Sequence, residues 1–136
     1  MIENRQDYLL DMIQRASEAL AALLVQVTPG ERAEEDDQAL DRALDDVFAG
    51  LDAHAHQLDA ATLRTVLRTD DRTLLFAILQ ARKGILRLQA GDEDGGLVRV
   101  RCSQELLEVL IARDSPLAEV ARPLARALVE WMAPGA

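Results

Sequence analysis

Histidine is the commonest metal ligand among side chains, and the chain has two, His54 and His56, separated by a single residue. On a helix, residues two apart diverge by about 200°, so this pair could share an ion only across an extended turn. Asp52 or Asp59 could add an oxygen, but no third histidine or cysteine lies nearby to complete a four-ligand set. A surface loop is the reading these residues support, and no metal or cofactor is expected. The segment Asp92-Glu93-Asp94-Gly95-Gly96 begins like a calcium loop. Counting from Asp92, however, Gly96, Leu97 and Ser103 fall where such a loop needs an oxygen ligand, a glycine and a bidentate glutamate. It reads instead as a turn between helices, with carboxylates placed at the positive end of the helix that follows.

Cys102 has Arg99 and Arg101 close in sequence, which would favour a thiolate, yet its segment contains no histidine. It lies on the apolar stripe of a predicted helix and is expected to pack as a small hydrophobe. Arg64 and Arg68, one helical turn apart, could join Arg82, Lys83, Arg87, Arg99 and Arg101 in a groove for an acidic partner or a phosphate, with Arg64, Arg68 and Arg87 as its defining members. The aspartates at 70, 71, 92 and 94 compete for these cations, and solvated faces are the plainer account. The sequence holds no nucleophile elbow, no phosphate-cradling glycine loop and no paired Glu-x-x-His set. With no such constellation, no catalytic residue is expected and the protein is read as a non-enzyme.

The elements that would carry these residues are helices. Leu9, Ile13, Ala16, Leu20, Leu23 and Val27 step by fours and threes, which predicts a first helix over Glu3 to Val27, ended by Thr28-Pro29-Gly30. Leu10, Met12, Ala19 and Leu24 widen its apolar stripe. A second helix follows from Leu40, Ala43, Leu44, Val47, Phe48 and Leu51, behind the acidic run Glu34 to Asp37. A short third opens at Asp59 or Ala60 with Leu63, Val66 and Leu67, and Asp70 is placed as the N-cap of a fourth over Arg72 to Ala90. The fifth spans about Gly95 to Ala112, and the sixth is capped by Ser115 with Pro116 in its first position. Short turns between them imply antiparallel hairpins. The expected fold is therefore all-α, about six helices in a single domain over residues 1–136.

Composition agrees. Hydrophobic residues make up 49% of the 136 residues but aromatics only 3%, so the core is aliphatic and suits helix packing. One cysteine forms no internal disulfide, and MIENRQDYLL is charged where a secretory signal is apolar, which gives a cytoplasmic expectation. No apolar run reaches the roughly 18 residues of a membrane span. Residues 1–58 carry thirteen acidic and four basic side chains while the remainder carries eleven of each, so the whole net charge of −9 sits in the first part. An acidic balance argues against nucleic acid as a partner.

The stretch Ala77 to Glu108 resembles one degenerate tetratricopeptide unit: Gly84 stands where that repeat keeps a small residue, Gly91-Asp92 at its turn, and Gly96, Val100 and Ser103 on its second helix. Arg87 and Glu108 depart from it, standing where the repeat has an aromatic residue and a proline. The N-terminal Met1-Ile2, Asp7-Tyr8-Leu9-Leu10 and Met12-Ile13 resemble the start of a bacterial family of small helical proteins without an assigned function, whose later part is also tetratricopeptide-like. That resemblance implies a helical bundle and supplies no catalytic residues.

The functional expectation is a non-catalytic interaction or assembly module that self-associates as a homodimer. Leu9, Leu10, Met12, Ile13, Leu20, Leu23 and Leu24 leave the first helix too little polar face to cover one side of a monomer. A variant sets the acidic second helix of one subunit against the basic half of another. The alternatives are a monomeric tetratricopeptide-like groove for a partner peptide and a small enzyme with a site of no recognised pattern.

Overall fold

The computed structural model describes residues 2–24, 42, 46, 48, 51 and 54–133, without the side chains of residues 2–8 and of His56. Among these residues the chain is all-α and contains no strand. Its elements are α1 (Ile2–Leu24), a one-turn 3-10 helix (Ala55–Gln57), α2 (Ala60–Leu67), α3 (Asp70–Gln89), α4 (Glu93–Ala112) and α5 (Ala118–Met132). About six helices were expected, and five α-helices are complete among the described residues. The expected second helix over 40–51 lies outside the described residues except at Arg42, Asp46, Phe48 and Leu51, as do residues 25–27 of the expected first helix. No helix among the described residues is long and apolar enough to cross a membrane.

The core is built around α3. Its sequence shows a four-three stripe, but every residue from Thr73 to Ala81 and from Lys83 to Leu86 is buried, so the helix is enclosed on all sides rather than on one face. α4 packs against it most extensively, followed by α1, while α5 lies on α4 and touches α1. Leu20, Leu63, Leu67, Leu74, Leu75, Phe76, Ile85, Leu106, Leu107 and Leu110 form the fully buried centre. Phe48 meets Phe76 edge to face, ring centroids 4.9 Å apart, a favoured geometry for aromatic quadrupoles.

α3 and α4 run antiparallel and approach until backbone meets backbone. A Cβ added at Gly84 would lie 2.8 Å from the Gly96 carbonyl oxygen and 2.9 Å from the Val100 nitrogen, and one at Gly96 would lie 2.7 Å from the Gly84 carbonyl oxygen. The turn between them closes by two hydrogen bonds, Gly91 N–H to Leu88 C=O (3.1 Å) and Asp92 N–H to Arg87 C=O (2.9 Å). This is a Schellman cap, which places its closing residue in the left-handed region; Gly91 has φ +95° there. Asp92 then accepts from Gly95 N–H at 3.1 Å and starts α4 at Glu93, two residues before the sequence suggested. The end of α4 repeats the cap, with Asp114 N–H to Ile111 C=O and Ser115 N–H to Leu110 C=O, and Asp114 at φ +53° takes the glycine position.

Two expected caps are corrected. Thr69, not Asp70, caps α3, its hydroxyl accepting from Arg72 N–H at 3.2 Å. α5 begins at Ala118 rather than at Pro116, and Leu117 in the cap position makes no side-chain bond. Asp70 is engaged instead in a tertiary contact with Ser115, while the Ser115 hydroxyl also accepts locally from Leu117 N–H at 3.1 Å. The cap expected of Asp59 is present, accepting from Thr62 N–H at 2.7 Å.

Replacing Gly84 with alanine is expected to lower the unfolding free energy by about 1–3 kcal/mol, because the methyl meets backbone atoms that cannot turn aside. Helix propensity alone predicts the opposite sign, a gain of roughly 0.5–1 kcal/mol. Urea unfolding of the two proteins decides between packing and propensity.

Candidate functional site

α4 uses one face against α3, at Gly96, Val100 and Ser103, and leaves the face of Val98, Cys102 and Glu105 towards the 3-10 turn and α2. There two hollows of about 180 and 270 Å³ adjoin, sharing Ala55, Val98 and Cys102. The first has an aliphatic floor from Leu58, Leu63 and Leu106 and a rim of Arg101 and Glu105. The second reaches the buried Gln80, whose Oε1 accepts from Arg99 Nη1 at 3.2 Å, and Asp94. Val98 between them is 41% exposed. Aliphatic walls with charges of both signs at the edge can hold apolar side chains and orient what carries them. Cys102, expected in the core, is half-buried and packs on it while lining both hollows.

The seven apolar residues expected as an interface on α1 divide. Ile13, Leu20 and Leu23 are buried inside this chain, and Leu9, Met12 and Leu24 pack partly buried on the same core. Leu10 alone among them is exposed, at 43%. The outer face of the helix is polar and internally paired, with Arg15 Nε 3.0 Å from Asp11 and Gln14 donating to Glu18 at 3.5 Å. The width of the stripe therefore arises largely from two neighbours within the chain, α3 and α5.

The three arginines of the expected basic groove do not line one surface. Arg64 and Arg68 lie at the end of α2, whereas Arg87 lies in the last turn of α3, roughly 25 Å along that helix from Asp70 at 1.5 Å per residue. Arg64 is occupied: Nε and Nη2 approach one Asp70 carboxylate oxygen at 2.9 and 2.8 Å, and Nη1 donates to the Arg68 carbonyl at 2.8 Å. Arg113 Nε lies 3.7 Å from the same Asp70 oxygen. Burial pushes the Asp70 pKa upward, but the Ser115 hydroxyl, the Arg64 guanidinium and the charge of Arg113 outweigh it and leave the carboxyl below its ordinary value. This cluster joins the α2–α3 connection to the α4–α5 connection. Sequence reasoning missed it because Asp70 and Ser115 also fit as local caps. His54 is exposed at the entry to the 3-10 turn, within the expected loop. Among the described residues no group of three His, Cys, Asp or Glu side chains could hold a metal ion.

Leu20→Ala is expected to lower stability by about 2–5 kcal/mol, by the same amount at every protein concentration, while Leu10→Ala changes it by no more than about 0.5 kcal/mol; denaturant titrations at two concentrations check both. A carboxylate whose folded pKa is depressed stabilises fully above its unfolded value, about 3.9, and ceases to do so as pH falls through the folded value. Asp70→Asn is thus expected to cost about 1–2 kcal/mol at neutral pH, a difference from wild type that closes below about pH 4 in unfolding measured across pH.

Compared with known proteins, the sequence matches no family model, and no curated protein or solved structure is significantly similar to it.

Proposed function

We propose that this chain is a non-catalytic, cytoplasmic interaction module that receives a partner polypeptide in the paired hollows between the 3-10 turn, α2 and α4. The observation that carries the reading is the pair itself: two adjoining hollows, one mainly apolar and one with an aliphatic floor and a charged rim, sharing Ala55, Val98 and Cys102, with the half-exposed Val98 between them. Two apolar side chains on one backbone fit such a pair, and the rim of Arg101, Glu105 and Asp94 suits a segment with flanking charges of both signs. The close approach at Gly84 and the turn at Gly91 support a tetratricopeptide-like arrangement of α3 and α4, the kind of hairpin that presents a peptide-sized groove. The acidic balance favours protein over nucleic acid as the partner.

A displayed library of random peptides tests the proposal. Selected sequences are expected to share a pair of apolar residues with charges beside them, and to lose at least roughly tenfold in affinity for Val98→Asp, about 1.4 kcal/mol, with helicity unchanged. Failure to select any peptide, or equal binding to the variant, would overturn it.

Self-association through α1 is a second reading, favoured by the exposure of Leu10 beside the half-buried Leu9, Met12 and Leu24. It predicts a homodimer in sedimentation velocity at micromolar concentration that Leu10→Glu dissociates; a wild-type monomer there removes it.

A further inference from the structure

A separate hollow of about 560 Å³ opens at the α2–α3 connection, lined by Phe48, Leu51, His54, Val66, Arg68, Thr69 and Arg72. Its volume lies within the range of small-molecule sites. Among the described residues the lining contains two guanidinium groups, an imidazole, a hydroxyl and an apolar surface, and no carboxylate. Asp70 and Asp71 follow directly in sequence but are not part of the lining, and Asp70 is turned to Arg64, Arg113 and Ser115.

The two arginines are held differently from Arg64. Arg72 donates from Nε to the Leu67 carbonyl at 3.1 Å, and its guanidinium lies 5.4 Å from the centroid of the Phe48 ring, which fixes its position. Its Nη atoms have no hydrogen-bond partner among the described residues. Arg68 sits at φ +79°, a conformation that L-residues rarely adopt. Its backbone is pinned by its N–H to the Arg64 carbonyl (3.0 Å) and by Arg64 Nη1 on its own carbonyl (2.8 Å). The Arg68 guanidinium itself has no hydrogen bond or ion pair among the described residues, and neither does the imidazole of His54. The chain thus uses one arginine to hold a second, which has no ionic partner among the described residues, at the mouth of a partly apolar hollow, beside a third fixed on an aromatic ring.

We propose that this hollow binds a small organic anion, a phosphate monoester or a carboxylate with an apolar group. The anionic oxygens are met by Arg68 and Arg72, with Thr69 and His54 as further donors, and the apolar part rests on Phe48, Leu51 and Val66. Guanidinium suits both anions because its planar fork matches their oxygens. The apolar half of the lining separates such a ligand from inorganic phosphate.

The test is a titration of the full chain, followed by amide and imidazole chemical shifts, with phenyl phosphate, benzoate, inorganic phosphate and phenol as probes. Phenyl phosphate or benzoate is expected to saturate with shifts centred on Arg68, Thr69 and His54, and the stronger of the two tells which anion the site prefers. Inorganic phosphate is expected to bind at least several-fold more weakly, and phenol not to saturate. Arg68→Gln, which removes no side-chain bond to a described residue, is expected to weaken binding roughly tenfold, the loss of one charge-assisted contact, with the unfolding midpoint retained. Arg72→Gln is expected to do the same where its fold is intact. Unchanged affinity in Arg68→Gln, shifts scattered over the surface, or binding of phosphate equal to that of phenyl phosphate overturns the proposal. Val98→Asp, which lies in the other cleft, leaves this titration unaltered.

Discussion

The contact on which the rest of the molecule depends is the meeting of two backbones, at Gly84 of α3 and Gly96 of α4. In a core with few aromatic rings, attraction between elements is a sum of many weak aliphatic contacts that fall off steeply with distance. Removing side chains where the axes cross lets the flanking Leu88 and Val100 close over the gap. The same approach fixes which side of α4 is used up against α3. The side left over, with Val98 and Cys102, becomes a wall of the paired hollows rather than part of the core.

The other organising force is the treatment of helix ends. Backbone carbonyls at the end of a helix have no partner within it, and α2, only eight residues long, has few internal bonds to spare. Its last carbonyls are taken by guanidinium groups, Leu67 by Arg72 and Arg68 by Arg64. Arg64 also binds Asp70, so a single side chain ties the end of one helix to the start of the next. That cluster is largely shielded, Asp70 being 20% exposed, whereas the Asp11–Arg15 pair on α1 is mostly in water. Exposed pairs of the latter kind contribute little to stability. This shielded arrangement of charge thus sits at one end of the bundle, next to the hollow at the α2–α3 connection.

Much of this was legible in the residues themselves, because helical periodicity needs only local spacing. The stripes of α1, α3 and α4 predicted those helices, with α3 and α4 starting two residues earlier than expected, and Gly91 marked its turn. What spacing does not encode is how many neighbours a helix has. The broad stripe of α1 suggested a second subunit, while Ile13, Leu20 and Leu23 are covered from within; α3, whose sequence shows a single stripe, is buried on all sides from Thr73 to Ala81 and from Lys83 to Leu86. Asp70 and Ser115 had two uses each: for Asp70 the long-range one prevailed, and Ser115 serves both, its hydroxyl accepting from Leu117 N–H as well. The basic residues were visible as a list but not as places: Arg64 is internal, Arg87 is at the far end of α3, Arg99 and Arg101 border the paired hollows, and Arg68 lies at the separate hollow of the α2–α3 connection.

The Gly91 turn also bears on how the chain finds this arrangement. Because α3 and α4 are neighbours in sequence, joined across Ala90 to Asp92, bringing them together closes a very short loop and loses little chain entropy. The largest interhelical contact is therefore also among the most local. Proteins whose contacts are of this kind reach their native topology quickly. Here Gly84 and Gly96 set the crossing, and Gly91, in the turn between their helices, makes it kinetically accessible.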